Sequence, residues 1–231
     1  MRHSRPAHIA GYWCTVHLAD VSRVRDPAGV KWSTAVGHVR RLAEKCAEMA
    51  DLPPRVHTLR VDEMWAFGDI LGSPRDLDWA SAALRVDLPA DEVPWLSRPV
   101  GAELWTDLTR ASKNPVGIWW RSAHAPVWNH RIVGPLLVWD RAQGIRDDAV
   151  TALREGQGAA AGIALPAEEE YMARMDDELR VSLAELRRRT REYDTERTTR
   201  LGIRADALYT AAEGYLTVLD GQSRHAADDR T

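Results

Sequence analysis

The feature that most constrains this chain is a change of period across a run of small residues, Gly156-Gln157-Gly158-Ala159-Ala160-Ala161-Gly162. Ahead of that run, apolar residues gather in short stretches punctuated by Pro and Gly, the pattern of strands and short helices. Beyond it they recur every three or four positions. Residues 166–193 carry Tyr171, Met172, Met175, Leu179, Leu183 and Leu186 at helical spacing, and residues 203–219 carry Ile203, Ala207, Leu208, Ala211, Ala212, Tyr215, Leu216 and Leu219. Two amphipathic helices in succession form a hairpin whose apolar face must dock on another surface. The fold class expected is therefore α+β: a small mixed sheet with flanking helices, followed by a C-terminal α-helical hairpin.

The expected boundaries follow from the same patterning. Residues 1–29 are weakly patterned and end in the turn signal Asp26-Pro27-Ala28-Gly29, so they read as a poorly ordered arm. Val30-Lys31-Trp32-Ser33 opens the first clear helix, and a GTG start codon at Val30 would make the arm non-native. The core is expected at 30–155, the linker at 156–166, the hairpin at 167–220 and a disordered polar tail at 221–231. Within the core, Ser33 stands as an N-cap before Ala35, Val39, Leu42, Cys46 and Met49, and Pro53-Pro54 ends that helix. Residues 56–71 read as one or two strands, 79–88 as another, and 132–139 as an edge strand interrupted by Gly134-Pro135. A short helix is expected near 102–111 inside long loops, and another at 147–155.

Charge and composition narrow the function classes. The net charge of −3 supplies no global field to hold nucleic acid or an anionic membrane. No apolar stretch reaches bilayer length. Two cysteines, Cys14 and Cys46, build neither a disulfide framework nor a zinc site, and a reduced cytoplasmic setting is expected. Among the 31 basic residues only Lys31, Lys45 and Lys113 are Lys, a bias typical of GC-rich bacterial coding. The 10 Trp against one Phe concentrate in the middle of the chain, as core, as pocket wall or as a stacking surface. The run Arg187-Arg188-Arg189-Thr190-Arg191 is offset by Glu185, Glu192, Asp194 and Glu196 and reads as a solvated helix face.

Two constellations bear chemistry. In the first, Phe67-Gly68-Asp69 closes a strand, Asp76-Leu77-Asp78 opens the next, and Asp140 follows a third. Alternate strand positions put two carboxylates on one face, where they could hold Mg²⁺ against nucleotide phosphates. This order resembles the minimal nucleotidyltransferase fold, which implies Asp76, Asp78 and Asp140 as catalytic carboxylates, Asp76 and Asp78 as metal ligands, and Gly68 beside the phosphates. Asp69 departs from the Ser usual after that Gly, and the gap from Gly68 to Asp76 is short for the fold. The second constellation runs from Lys113 to Arg131, where Lys113, Asn114, Trp120, Arg121, His124, Asn129 and His130 offer stacking faces, hydrogen bonds and an anion clamp for substrate. The same residues also suit a loop pinned to the core by Trp.

Val30-Lys31-Trp32-Ser33-Thr34-Ala35, Trp65-Ala66-Phe67-Gly68-Asp69, Val86-Asp87-Leu88-Pro89, Glu92-Val93-Pro94-Trp95 and the stretch from Arg121 to Arg131 resemble a family of uncharacterised proteins from high-GC bacteria. That resemblance implies a shared fold and supplies no activity. P-loop, dinucleotide-binding, nucleophile-elbow, zinc and EF-hand motifs are absent from the sequence. Two functions remain open: a Mg²⁺-dependent transfer of a nucleotidyl group to an acceptor, and a catalytically inactive binding protein using the Trp-rich loop and the hairpin. The partners expected are a nucleotide or other small molecule, and a second copy or another protein at the hairpin.

Overall fold

A computed structural model describes residues 29–53, 55–196 and 201–228; the expected arm, residues 1–28, lies outside them. Helix α1 (Trp32–Ala50) leads into β1 (Val61–Phe67), a 3₁₀ turn (Gly68–Leu71) and β2 (Ala80–Val86). Then come α2 (Ala102–Thr109), a 3₁₀ turn (Ala111–Lys113), β3 (Val116–Ser122), β4 (Leu136–Asp140) and β5 (Gly144–Ile145). Helices α3 (Asp147–Arg154), α4 (Gly158–Ala161), α5 (Glu168–Glu196) and α6 (Leu201–Asp228) complete the chain. The strands form one sheet in the order β3-β2-β1-β4-β5, in which β2 and β3 are parallel and the other neighbours antiparallel.

Period-2 alternation sorts the side chains onto two faces. Met64 and Ala66 from β1, and Ala82, Leu84 and Val86 from β2, pack with Val39 and Leu42 of α1, Trp105 of α2 and Val150 and Leu153 of α3. On the other face, Trp65, Phe67 and Ala83 pack with Trp95, Ile132, Met175 of α5 and Val218 of α6. The mixed sheet, its flanking helices and the C-terminal helical pair thus agree with the fold class expected. The sheet is a middle layer, and the hairpin is the cover that its second apolar face requires.

Several elements differ from the sequence reading, each for a local reason. Helix α1 begins at Trp32 and Ser33 makes no cap; instead the Trp32 indole N–H donates to Leu153 O at 2.9 Å, a tertiary anchor in place of a local one. Strand β1 starts only at Val61, because His57 is buried and its ring nitrogens lie 2.9 Å from Met49 O and from Leu59 O, fixing the preceding loop. Strand β3 falls where loops were expected; Pro115 just before it and Pro126 soon after hid a seven-residue strand between two breakers. Gly134 takes a left-handed φ of 54°, so β4 begins only after Pro135. Helix α6 runs on to Asp228, through residues expected as a polar tail.

The hairpin docks by close backbone approach. A Cβ built on Gly214 of α6 would stand 2.5 Å from Trp95 O, and one on Gly221 would stand 2.6 Å from the His130 side chain. Alanine ordinarily favours a helix over glycine by about 1 kcal/mol, so the sign of a substitution isolates the contact. Gly214→Ala is expected to lower stability by roughly 1–3 kcal/mol through overpacking against backbone; urea unfolding of the two proteins measures it.

Candidate functional site

Two places in the fold gather the residues singled out above. The first lies under the hairpin. Arg121, the next-to-last residue of β3, points onto the second face of the sheet and is only 2% exposed; Glu178 of α5 is 4% exposed. The two form a direct ion pair. Arg174, one turn earlier on α5, donates to Glu178 Oε1 at 3.1 Å, and Asn129 Nδ2 donates to Oε2 at 3.0 Å. Arg121 Nε also donates to Val127 O at 3.1 Å, and its guanidinium lies over the Trp95 ring, 5.5 Å from the centroid. The Asn129 side-chain oxygen accepts from the N–H groups of Arg131 and Ile132, both at 2.9 Å, which closes the loop after β3 into a fixed shape.

Electrostatics in this node follow from burial. Desolvation works to raise the Glu178 pKa, but Arg121, Arg174 and the Asn129 hydrogen bond overcome it and hold the carboxyl below its usual range. His130 is pushed from 6.5 down to about 4, chiefly by desolvation, with Glu178 opposing and Arg131, Arg121 and Arg224 assisting. Its ring meets Trp95 edge-on at 5.4 Å, and neither ring nitrogen has a hydrogen-bond partner. The void bordered by Arg121, Arg174 and Glu178 measures about 10 Å³, room for one water at most. This is a sealed packing node in which Arg121, Glu178 and Asn129 are spent on one another, while Arg174 Nε and both His130 ring nitrogens are buried without a hydrogen-bond partner.

The second place is open. A cleft of about 920 Å³ lies at the end of β1, bordered by the Gly68–Leu71 turn, residues 72–75, Val133-Gly134 and residues 159–165. Gly68 has φ 75° and nothing within 4 Å of its missing Cβ, so backbone faces the space directly. Asp69 and Arg75 pair across the mouth at 2.9 Å, both well exposed. Leu71, Val133, Ile163 and Leu165 supply apolar wall.

The sequence-predicted residues distribute unevenly between the two. Gly68 borders the cleft. Asp76 and Asp78 are exposed in the segment before β2, on the side opposite buried Leu77, which pairs with Val30. Asp140 does not join them: β4 pairs antiparallel with β1, so Asp140 stands opposite Glu63 while Ser81 stands opposite Phe67. Four residues of strand, about 13 Å, separate those ends of the sheet. Desolvation works to raise the Asp140 pKa, but the N–H groups of Gln143 and Ala142 and the Arg146 side chain hold it low, so the carboxylate caps a turn. The three-carboxylate centre is therefore corrected to a pair, and among the described residues no group of three or more His, Cys, Asp or Glu is placed to hold a metal ion.

The second constellation divides in the same way. Arg121, Asn129 and His130 meet under the hairpin, whereas Trp120 packs edge-on against Trp105 at 5.5 Å on the first face of the sheet. Asn114 donates from Nδ2 to His38 O of α1 at 3.0 Å; Lys113 beside it is exposed. His124 is exposed and stands 3.1 Å from Asp87. Sequence reasoning did not single out Arg174 or Glu178. The available signal was the seam Met175, Glu178, Ser182, Glu185, whose acids recur on the buried stripe.

The fold and these two sites define an α+β protein with one sheet between helical layers and an open cleft at a strand end. The chain belongs to the family described as a domain of unknown function, DUF7711, whose family model matches residues 30–224. No curated protein and no solved structure matches it. Among the described residues no helix is long and apolar enough to cross a membrane.

Breaking the buried node has a computable direction. Glu178→Gln leaves two buried guanidinium groups without a counter-charge and is expected to destabilise by about 3–5 kcal/mol in denaturant unfolding. His130 is held neutral in the fold, so the unfolded chain takes up the proton first, and stability falls as pH drops from 6.5 toward about 4. His130→Leu is expected to remove that part of the acid slope, worth up to roughly 3 kcal/mol, when unfolding curves are compared across this window.

Proposed function

We propose that this protein is a catalytically silent binding protein of its fold, with the cleft beside Gly68 as the site for a small anionic ligand of nucleotide type. The observation that carries this reading is the separation of the carboxylates: Asp76 and Asp78 precede β2, while Asp140 caps a turn at the opposite end of the sheet. A transferase centre needs all three around one metal. Support for a ligand comes from the cleft's chemistry. The exposed Asp69–Arg75 pair is worth less than about 1 kcal/mol, so an incoming phosphate or carboxylate displaces Asp69 from Arg75 at little cost. Glycine at position 68 lets such a group reach the backbone, and Leu71, Val133 and Ile163 offer surface to an apolar or flat portion. The interior of the Trp-rich loop, by contrast, is occupied by the chain's own helices.

A thermal-shift series with the four nucleoside triphosphates, each with and without Mg²⁺, tests this. Ligand at one hundred times its Kd stabilises by about 2.7 kcal/mol. A shift is expected without Mg²⁺, retained in Asp76→Asn/Asp78→Asn and lost in Arg75→Glu. A Mg²⁺-dependent shift lost in the double variant would return the protein to the transferases, and no shift with any triphosphate would remove nucleotides as the ligand.

A further inference from the structure

The cleft at the end of β1 sorts its chemistry onto two walls. Residues 68–75 carry both charged side chains that border it, Asp69 and Arg75, with Ser73 between them in the chain. The other wall, residues 133–134 and 159–165, carries no charge. It is built largely from the run of small residues that marks the change of period in the sequence. Gly162 lies so close to the loop before β4 that a Cβ there would strike Gly134 O, and the Ile163 N–H donates to Pro135 O at 3.0 Å. Ala159 and Ala160 add little bulk, so the space of about 920 Å³ stays open, within the range of small-ligand sites.

The larger apolar residues of that wall are not packed away. Val133, Ile163 and Leu165 are 51%, 37% and 68% exposed, three of the ten large apolar side chains left exposed on the described chain. Single exposed apolar residues are ordinary. These three border one cavity, with Leu71 on its opposite wall. What the cleft lacks is as specific: among the described residues no aromatic, His, Asn or Gln side chain borders it. A nucleobase is held by faces to stack on and by groups that read its edge. An alkyl chain needs neither, since its burial is non-directional.

We infer that the ligand of this cleft is a phosphate monoester with an aliphatic chain, its head on Arg75 and its tail along Val133, Ile163 and Leu165. The inference rests on the reading of the cleft as an anion site and names what lies beyond the phosphate. A guanidinium takes a phosphate through two parallel hydrogen bonds. Arg75 is available for this because its pairing with Asp69 is exposed to water on both partners. The occupant is the free amphiphile rather than a bilayer: charged wall and aliphatic wall border the same cavity, so a chain must leave the lipid phase to lie between them.

Isothermal titration calorimetry on the full chain tests this with butyl, hexyl and octyl phosphate below their micelle concentrations, and with adenosine 5′-monophosphate, which carries the same head. Affinity is expected to rise about three- to fourfold per methylene, with octyl phosphate bound more tightly than the nucleotide. Val133→Ser/Leu165→Ser changes two exposed side chains and is expected to flatten the dependence on chain length, whereas Arg75→Gln weakens all three esters about equally. Thermal unfolding checks that the variants fold; if the double variant does not, Leu165→Ser, at the most exposed of the three, decides. Equal affinity across the series overturns the inference. So does an unchanged dependence in the serine variant, or binding to phosphatidate vesicles without binding of octyl phosphate. Tighter binding of the nucleotide than of octyl phosphate overturns the aliphatic tail and leaves the anion site standing; no binding of any of these phosphates removes both.

Discussion

Burial of the Glu178 carboxylate between Arg121 and Arg174 is the interaction on which the second half of the structure depends. A carboxylate withdrawn from water is unfavourable until its counter-charges are fixed, and fixing them requires β3, the loop after it and α5 to be in place together. Asn129 extends that requirement to the loop backbone, and Trp95 extends it to the crossing between β2 and α2. The ion pair fixes the hairpin's register on the sheet together with the close approach of Gly214 to Trp95 and of Gly221 to His130.

This explains why the arginine, asparagine and histidine that follow β3 are turned into the fold. Arginine, asparagine and histidine gather near β3 because a tryptophan-rich loop must close over the sheet, and its turning backbone needs donors and acceptors that water cannot reach. Asp140 serves the same end at the opposite edge, taking the free N–H groups of a tight turn. The open chemistry of the molecule lies instead where the layers stop, at the Gly68 turn, with little polar investment and much exposed backbone.

Much of this architecture was legible in the sequence, because periodicity reports burial directly. Helix α1 and the hairpin follow from their apolar stripes, and β2 follows from its run of Ala, Leu and Val between polar turns. Strand β3 was not legible: its prolines lie just outside its ends, and a two-sided buried strand lacks alternation. Register was equally hidden. Nothing local says that β4 turns back along β1 and carries Asp140 away from Asp76, yet that decides whether the three carboxylates can meet. Glu178 escaped notice since its partner Asn129 lies 49 residues away and Arg121 farther still. A charge on a helix looks solvated until its distant counter-ion is known.

The order of the layers along the chain has a consequence for synthesis. Strands β1 to β4 and the helices of the first face are complete before α5 begins, so a nascent chain carries a finished sheet with one face bare. Trp65, Phe67 and Ala83 then stand in water, and Arg121 has no counter-charge, until the last quarter of the chain emerges. Trp95 meets Thr217 across 122 residues of sequence. A message cut short before the hairpin would therefore leave that apolar face of the sheet uncovered.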